Sequence, residues 1–475
     1  MIGAQLKRLV RHSAIYGLGG IVSRVLAIFL LPLYTRYLGR VALGSVETLV
    51  AGAAVLVILL RAGISSAFFR FYFDTPDPER RIVVVRTSFW FTMTTATAGL
   101  AAGLVLAPQL SQAIFATGSE ANLVRAAFVG IWAQMNYEQL TSLFRVEERS
   151  IAFVCASLAN ILITVAATVI LVVGLHKGAV GVIVGNFVGT LSVYLVLLGY
   201  RRYQLGLQFD RALFREMNRF GMPLVPSALA LWITNFSDRF FLVKLAGRGE
   251  VGVYSIGVRI ASVIVLLLTA FRTAWPAFAY SIEDDRDARR TYGYVLTYLL
   301  FVVCWIALAL GLTSPWIVHI FPAQYWAGSR VVAPLAFAGA AQAGYMVVAI
   351  GIGRARRTGF NWVVTGGAAA LNVALNLALI PPYGMMGAAI ATVGAYTLMF
   401  VAMTWHAQRV YPVPYQWRRV VTLVAVAVAL VVAGKILHVS LVLAVVISIA
   451  YPLVLLPLGF YLPGERARIR RLVPL

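Results

Sequence analysis

A chain of 475 residues in which 61% are hydrophobic and only 12% charged is too apolar for a soluble protein, whose apolar share is nearer ~45–50%. The composition leaves one class, a polytopic membrane protein. A formal net charge of +23 would suggest nucleic acid in a soluble chain; in a membrane protein its distribution matters more, and no nucleic-acid partner is expected.

Lys7, Arg8 and Arg11 stand ahead of an apolar run at 13–35. That run is too long for the core of a secretory signal and a second span follows at once, so it reads as a retained first helix. Apolar windows of ~20 residues, enough to cross the hydrocarbon layer, then recur at 41–60, 87–107, 122–144, 150–173, 178–199, 222–243, 251–271, 292–313, 331–352, 358–380, 386–407, 420–437 and 440–461. These continuous runs lack the alternation of a membrane barrel. The expected fold class is therefore all-α, with ~14 transmembrane helices. Cys155 and Cys304 both fall inside apolar runs, with no CxxC and no nearby histidine, and read as inert packing residues.

With fourteen spans the connections alternate sides. The N-terminus, the even-numbered connections and the C-terminus hold 29 of the 40 Lys and Arg, the opposite side holds seven, and Arg24, Arg125, Arg239 and Arg259 fall within spans. By the positive-inside rule both termini are expected in the cytoplasm. The external connections near 108–121 and 314–329 are long enough for a turn or a surface helix. On the inside, 201–219 (RRYQLGLQFDRALFREMNR) is basic and partly amphipathic. It suits either an anionic membrane surface or a solvated linker.

The chain also repeats itself. GRGEVG at 247–252 follows GRVALG at 39–44 by 208 residues, and GMMG at 384–387 follows GAVG at 178–181 by 206, each after a segment carrying intramembrane asparagine, Asn160 in one copy and Asn372 with Asn376 in the other. Six spans per copy is an even number, so both copies enter from the same side, as in transporters built from parallel repeats. The expected organisation is two pseudo-symmetric six-helix lobes, 1–205 and 206–410, followed at 411–475 by an additional helix pair and a basic tail.

The pair Asp238-Arg239, followed by LAGRGEVGVY at 245–254, and the stretch LNVALNLALIPPYGMMGAAIAT at 371–392 are similar to the lipid-linked oligosaccharide flippases. These are the polysaccharide biosynthesis transporters (Wzx-like) of the multidrug/oligosaccharidyl-lipid/polysaccharide exporter superfamily. The resemblance covers essentially the whole chain. It implies alternating access through a central cavity among the first, second, seventh and eighth helices. It further implies an undecaprenyl-diphosphate-linked sugar as cargo, a bacterial inner membrane as location, and membrane lipids and polysaccharide assembly proteins as partners of a monomer.

The intramembrane charges agree with such a cavity. Arg24 lies mid-span on a face with Gly17 and Gly20; Gly44, Glu47, Ala51 and Ala54 form one stripe of the second span. The seventh offers Trp232, Asn235 and Arg239 at i, i+3 and i+7 with Asp238 beside them, and the eighth offers Ser255, Arg259 and Ser262. On the fourth span Gln134, Glu138, Thr141 and Arg145 make a polar face, while Arg125 is near enough to the boundary to snorkel. One reading is structural, with Glu47 pairing Arg24 or Arg259 and Asp238 pairing Arg239 or Lys244. The other is functional, because intramembrane ionisable groups mark pathways and the planar guanidinium fork suits a diphosphate. On that reading Arg24, Arg239 and Arg259, with Asn235, Trp232 and Ser255, bind substrate. Glu47, Glu138 and Asp238 then serve proton or sodium coupling, or ion pairing.

The expected function is thus a flippase carrying a polyprenyl-diphosphate-linked oligosaccharide from the cytoplasmic to the outer leaflet. The alternatives are a lipid II flippase or a multidrug exporter of the same superfamily, and, from another class, an intramembrane polysaccharide polymerase or ligase. No enzyme, cofactor or metal is expected: the five histidines lie at span edges without ligand spacing, and no Walker A, GxSxG or HExxH motif is present.

Overall fold

The computed structural model describes residues 32–355 and 357–463, so the first expected span, Arg24 within it, and most of the basic C-terminal tail lie outside the described residues. Among the described residues every regular element is helical. Nine helices among the described residues are long and apolar enough to cross a membrane, or ten when a bent pair counts as one span. Two further helices, Ala121–Val146 and Val225–Leu245, have the length at 26 and 21 residues but carry the polar groups noted above. The expected last span is shorter than its apolar window, helical only over Leu441–Val454.

Contacts divide the chain into two units, Met1–Gly252 and Val253–Leu475. In the first unit α1 (Arg40–Arg61) is followed by a short α2 (Ile64–Phe73) and a long α3 (Pro78–Val105). Asp77 caps α3 through the Glu79 amide, with Pro78 opening the helix where its missing N–H costs nothing. The chain then bends by 75° into α4 (Ala107–Phe115). Pro108 explains the bend, since it has no N–H to donate to the carbonyl of residue 104. The connection expected near 108–121 thus holds a short helix, with Ala107, Ser111 and Phe115 buried.

Three long helices follow in this unit: α5 (Ala121–Val146), α6 (Ser150–Val169) and α7 (Gly178–Arg201). They pack together, α5 also lying on α3, around Phe68, Phe89, Leu140, Phe144 and Tyr194. α6, extended by a π-helical turn at Ile170–Gly174, has a mean hydropathy of 2.4 over a segment only 11% buried. So apolar a surface is stable only against lipid. Cys155 lies on that exposed face, which corrects its reading as a packing residue, whereas Cys304 is buried.

The 201–219 connection holds α8 (Arg211–Gly221), capped by Asp210 through the amides of Ala212 and Leu213. Its apolar face, Leu213, Met217 and Gly221, is buried against α2 and α3, leaving Arg211, Arg215 and Arg219 outward. The amphipathic pattern is thus satisfied by protein. After α9 (Val225–Leu245), α10 (Arg248–Ala261) begins in the first unit and ends in the second.

The eighth expected span is two helices rather than one. α10 stops at Ala261 and α11 (Val263–Ser281) continues past the expected end at 271. At the break the Ser262 hydroxyl donates to the Arg259 carbonyl at 2.6 Å and the Val265 amide to the Ser262 carbonyl. Such local side-chain bonds compete with the helical ladder. The second unit is then built on α12 (Asp285–Ile317), α13 (Ser329–Arg354), α14 (Asn361–Tyr383) and α15 (Met385–Val410), with α16 (Trp417–Ile436) and α17 (Leu441–Val454) packed on α12. Trp305 donates to the Ser448 carbonyl at 2.6 Å and Tyr451 to the Leu423 carbonyl at 2.8 Å. The Trp305 bond thus ties α17 to α12 beside the apolar contact, and the Tyr451 bond joins the two terminal helices to each other.

Candidate functional site

Both repeat landmarks have a conformational counterpart. Gly178 and Gly384 hold φ values of +55° and +53°, the left-handed region that residues with a Cβ avoid. Each is the turn from which the next helix starts. The hexamers meet each other directly. A Cβ added at Gly44 would lie 1.9 Å from the carbonyl oxygen of Arg248, and one at Gly252 would lie 2.0 Å from that of Arg40. Gly44 of α1 and Gly252 of α10 thus each lie on the backbone of the other hexamer's arginine, a close helix crossing that small residues permit. Arg248 secures it, reaching Glu120 at 2.6 Å and Ser45 Oγ at 3.3 Å.

From this crossing the polar stripe of α1 runs along α9. Trp232 donates from Nε1 to the Ala51 carbonyl at 2.9 Å. Glu47 is one turn from Ala51 toward Gly44 and is 6% exposed, flanked by fully buried Ser45 and Thr48. On α9, Asp238 and Arg239 are 4% and 6% exposed. Asp238 Oδ1 accepts both the Arg239 backbone N–H at 2.8 Å and its Nη1 at 3.0 Å. Arg239 Nη1 also donates to the Asn235 carbonyl at 3.2 Å, and its guanidinium lies 5.3 Å from the Phe236 ring centre. Charges inside a membrane are costly unless compensated, and here two adjacent residues compensate each other. Asn235 is exposed, its amide on the Leu231 carbonyl, and Lys244 is exposed.

Trp232, Asn235, Asp238, Arg239 and Glu47 therefore lie on one pair of helices in the first unit. Glu138 is elsewhere in that unit, on α5, with Arg61 at 2.7 Å and the Gln134 amide at 2.9 Å. In the second unit Ser255 is buried at 1% exposure and Arg259 is half-buried, four residues further along α10. Arg24 lies outside the described residues.

Sequence reasoning missed several buried polar contacts. Gln139 donates to Ser88 Oγ at 3.0 Å between α5 and α3. Arg201, 3% exposed, makes a two-pronged contact with Glu147 at 2.6 and 2.8 Å. The Asn376 amide donates to Asn372 Oδ1 at 3.0 Å, both side chains fully buried. The asparagines were visible as intramembrane residues, but the Gln139 and Arg201 partners lie 51 and 54 positions away, beyond any local pattern.

A family model described as polysaccharide biosynthesis protein matches residues 9–281. An uncharacterized membrane protein of Methanocaldococcus jannaschii is 26% identical over 207 residues, 42% of this chain and 40% of that protein. The chain thus spans about two-fifths of the length of the curated relative it matches. Among solved structures, an inward-facing conformation of a multidrug resistance MATE family transporter of the MOP superfamily aligns with a TM-score of 0.66 at 14% identity, covering 82% of this chain and 97% of that one. An outward-facing conformation of such a transporter aligns at 0.61 and 16% identity, covering 85% and 95%. A MOP superfamily transporter from Pyrococcus furiosus, described as having a binding pocket of reverse polarity, aligns at 0.60 and 15%, also covering 85% and 95%. At these identities the structural likeness establishes the fold. The family match runs over more than half of the chain, and this multi-pass membrane protein belongs to the polysaccharide biosynthesis protein family.

Proposed function

We propose that the protein is a flippase, a transporter and not an enzyme, which moves a polyprenyl-diphosphate-linked oligosaccharide from the cytoplasmic to the outer leaflet of a bacterial inner membrane by alternating access. The observation that supports it most is the buried polar seam of α1 and α9, where Trp232, Glu47, Asp238 and Arg239 interrupt helices that otherwise present apolar surface. Membership in a polysaccharide biosynthesis family supports a lipid-linked sugar as the cargo class. Arg24 and Arg259 take the diphosphate, because a guanidinium is always charged and donates paired hydrogen bonds to oxyanions. Arg239, held by Asp238, contributes less charge and more geometry. Asn235, Trp232 and Ser255 contact the first sugars. Glu47, Glu138 and Asp238 are the candidates for proton or sodium coupling.

The test is a reconstituted assay with fluorescent lipid-linked sugars and a membrane-impermeant quencher. Wild-type vesicles lose protected fluorescence over time. Arg24→Ala combined with Arg259→Ala abolishes that loss while the protein still inserts and remains monodisperse. Undiminished translocation by the double variant rules out the binding role. Efflux of a cationic dye in place of the lipid-linked sugar would identify a multidrug exporter instead.

A further inference from the structure

The loop that joins α7 to α8 carries a surface feature separate from the seam. It is strapped along the first half of α3. Arg86 donates from Nε to the Gln204 carbonyl at 3.2 Å and from Nη1 to Gln208 Oε1 at 2.8 Å. The Trp90 indole donates to the Gly206 carbonyl at 3.2 Å, and the Asp210 amide to Thr87 Oγ1 at 3.2 Å. Between helix and loop lies an open hollow of about 380 Å³, lined by Trp90, Thr94, Leu207, Gln208 and Phe209.

Three observations indicate what fills it. First, the loop turns large apolar side chains outward: Leu207 is 90% exposed, Tyr203 79% and Phe209 43%. Leaving such a side chain in water forgoes roughly 1.5–3 kcal/mol of burial, which favours acyl chains over water as the loop's surroundings. Second, the depth is right. Residues 86 and 94 of α3 are about 12 Å apart along the helix axis, and the apolar window of this span opens at 87. The hollow therefore runs inward from headgroup level, with Trp90 where interfacial aromatics gather. Third, its rim is cationic. Among the described residues Arg86 has no carboxylate partner. Neither has Arg202, which donates to Tyr203 Oη at 2.6 Å and covers that ring at 4.7 Å. Arg211 is exposed where the loop enters α8. The nearby acid Asp210 is occupied in capping α8, and Glu216 lies a further turn along.

We propose that this hollow binds one anionic phospholipid from the leaflet at the N-terminal end of α3. An acyl chain lies along Trp90, Thr94, Leu207 and Phe209, and the phosphate rests on Arg86 between Arg202 and Arg211. The transported lipid also carries phosphate, but this site is on the face of the first unit and needs no sugar. It buffers the loop against the bilayer whatever the cargo.

Native mass spectrometry of the purified full chain, titrated with dioleoyl phosphatidylglycerol or dioleoyl phosphatidylcholine, tests it. The first phosphatidylglycerol adduct forms more tightly, by about fivefold for each arginine engaged. Arg202→Gln with Arg211→Gln leaves the α3 strap intact and removes most of that preference. Thr94→Trp fills the hollow and removes the first adduct of both lipids, with unchanged melting confirming the fold. Equal affinity for the two lipids, or an adduct indifferent to Thr94→Trp, overturns the proposal. So does displacement of phosphatidylglycerol by an undecaprenyl phosphate that phosphatidylglycerol cannot in turn displace, since the hollow would then belong to the carrier lipid.

Discussion

At the scale of single residues, Asp238 and Arg239 show how much a list of intramembrane charges leaves open. Adjacent positions on a helix do not normally face each other, yet the short Asp238 carboxylate turns back to meet both the amide and the guanidinium of its neighbour. The sequence made these residues conspicuous, because charge in an apolar span is rare, but it offered Asp238 two cations and could not choose between rotamers. The consequence is measurable. Asp238→Asn leaves a buried guanidinium without that countercharge and is expected to cost about 3–5 kcal/mol, seen as a lowered melting midpoint in detergent. Asp238→Asn with Arg239→Gln removes both charges and recovers a substantial part. If the double variant is as unstable as the single one, the two residues are not a compensating pair. Gln139 and Arg201 show the opposite limit: their partners, Ser88 on α3 and Glu147 in the turn after α5, lie 51 and 54 positions away, so no reading of neighbours along the chain identifies them.

At the scale of elements, the repeat was legible and its physical meaning was not. Glycines at equal offsets in two hexamers signalled duplication. Only the structure shows that the hexamers are in contact, each glycine admitting the other's backbone. Gly44→Leu is therefore expected to destabilise by about 1–3 kcal/mol or more, because backbone carbonyls cannot step aside as side chains do. Gly252→Leu should match it. Gly39→Ala, with nothing within 4 Å of its added Cβ, should be silent by comparison. Similar losses at all three positions would show general intolerance instead of a specific crossing. Helix α8 teaches a related lesson about amphipathicity. An apolar stripe says that something covers it, and the sequence allowed membrane or solvent-exposed linker, whereas α2 and α3 do the covering. Leu213→Asp accordingly places a carboxylate in a protein core and is expected to lower the yield of folded protein, while Arg215→Gln on the outer face leaves it unchanged.

At the scale of the whole molecule, hydropathy read well because hydrocarbon forces a backbone to satisfy its hydrogen bonds within helices, and that constraint needs no partner information. It read poorly where helices break. The bend at Pro108 and the interruption at Ser262 depend on single residues within or beside apolar runs, which a window average smooths away. Energetics of transport belong to this scale as well. A unit charge crossing the full membrane potential gains or loses ~2.3 kcal/mol per 100 mV, so an anionic headgroup moving outward is driven by an inside-negative potential. Cationic side chains that reorient with it reduce the effective charge. In proteoliposomes given a potassium gradient and valinomycin, the initial rate of outward translocation is expected to rise with the imposed potential, with a slope below that of the free diphosphate. A rate independent of potential would mean that headgroup and arginines move as a neutral unit. Coupling through a carboxylate predicts something separable: a proton or sodium gradient changes the rate at zero potential, and Glu47→Gln, on the seam beside Trp232, removes that response. Glu138→Gln, on α5 beside Arg61, leaves it in place. A gradient response that survives Glu47→Gln and vanishes with Glu138→Gln moves the coupling role from the seam to α5.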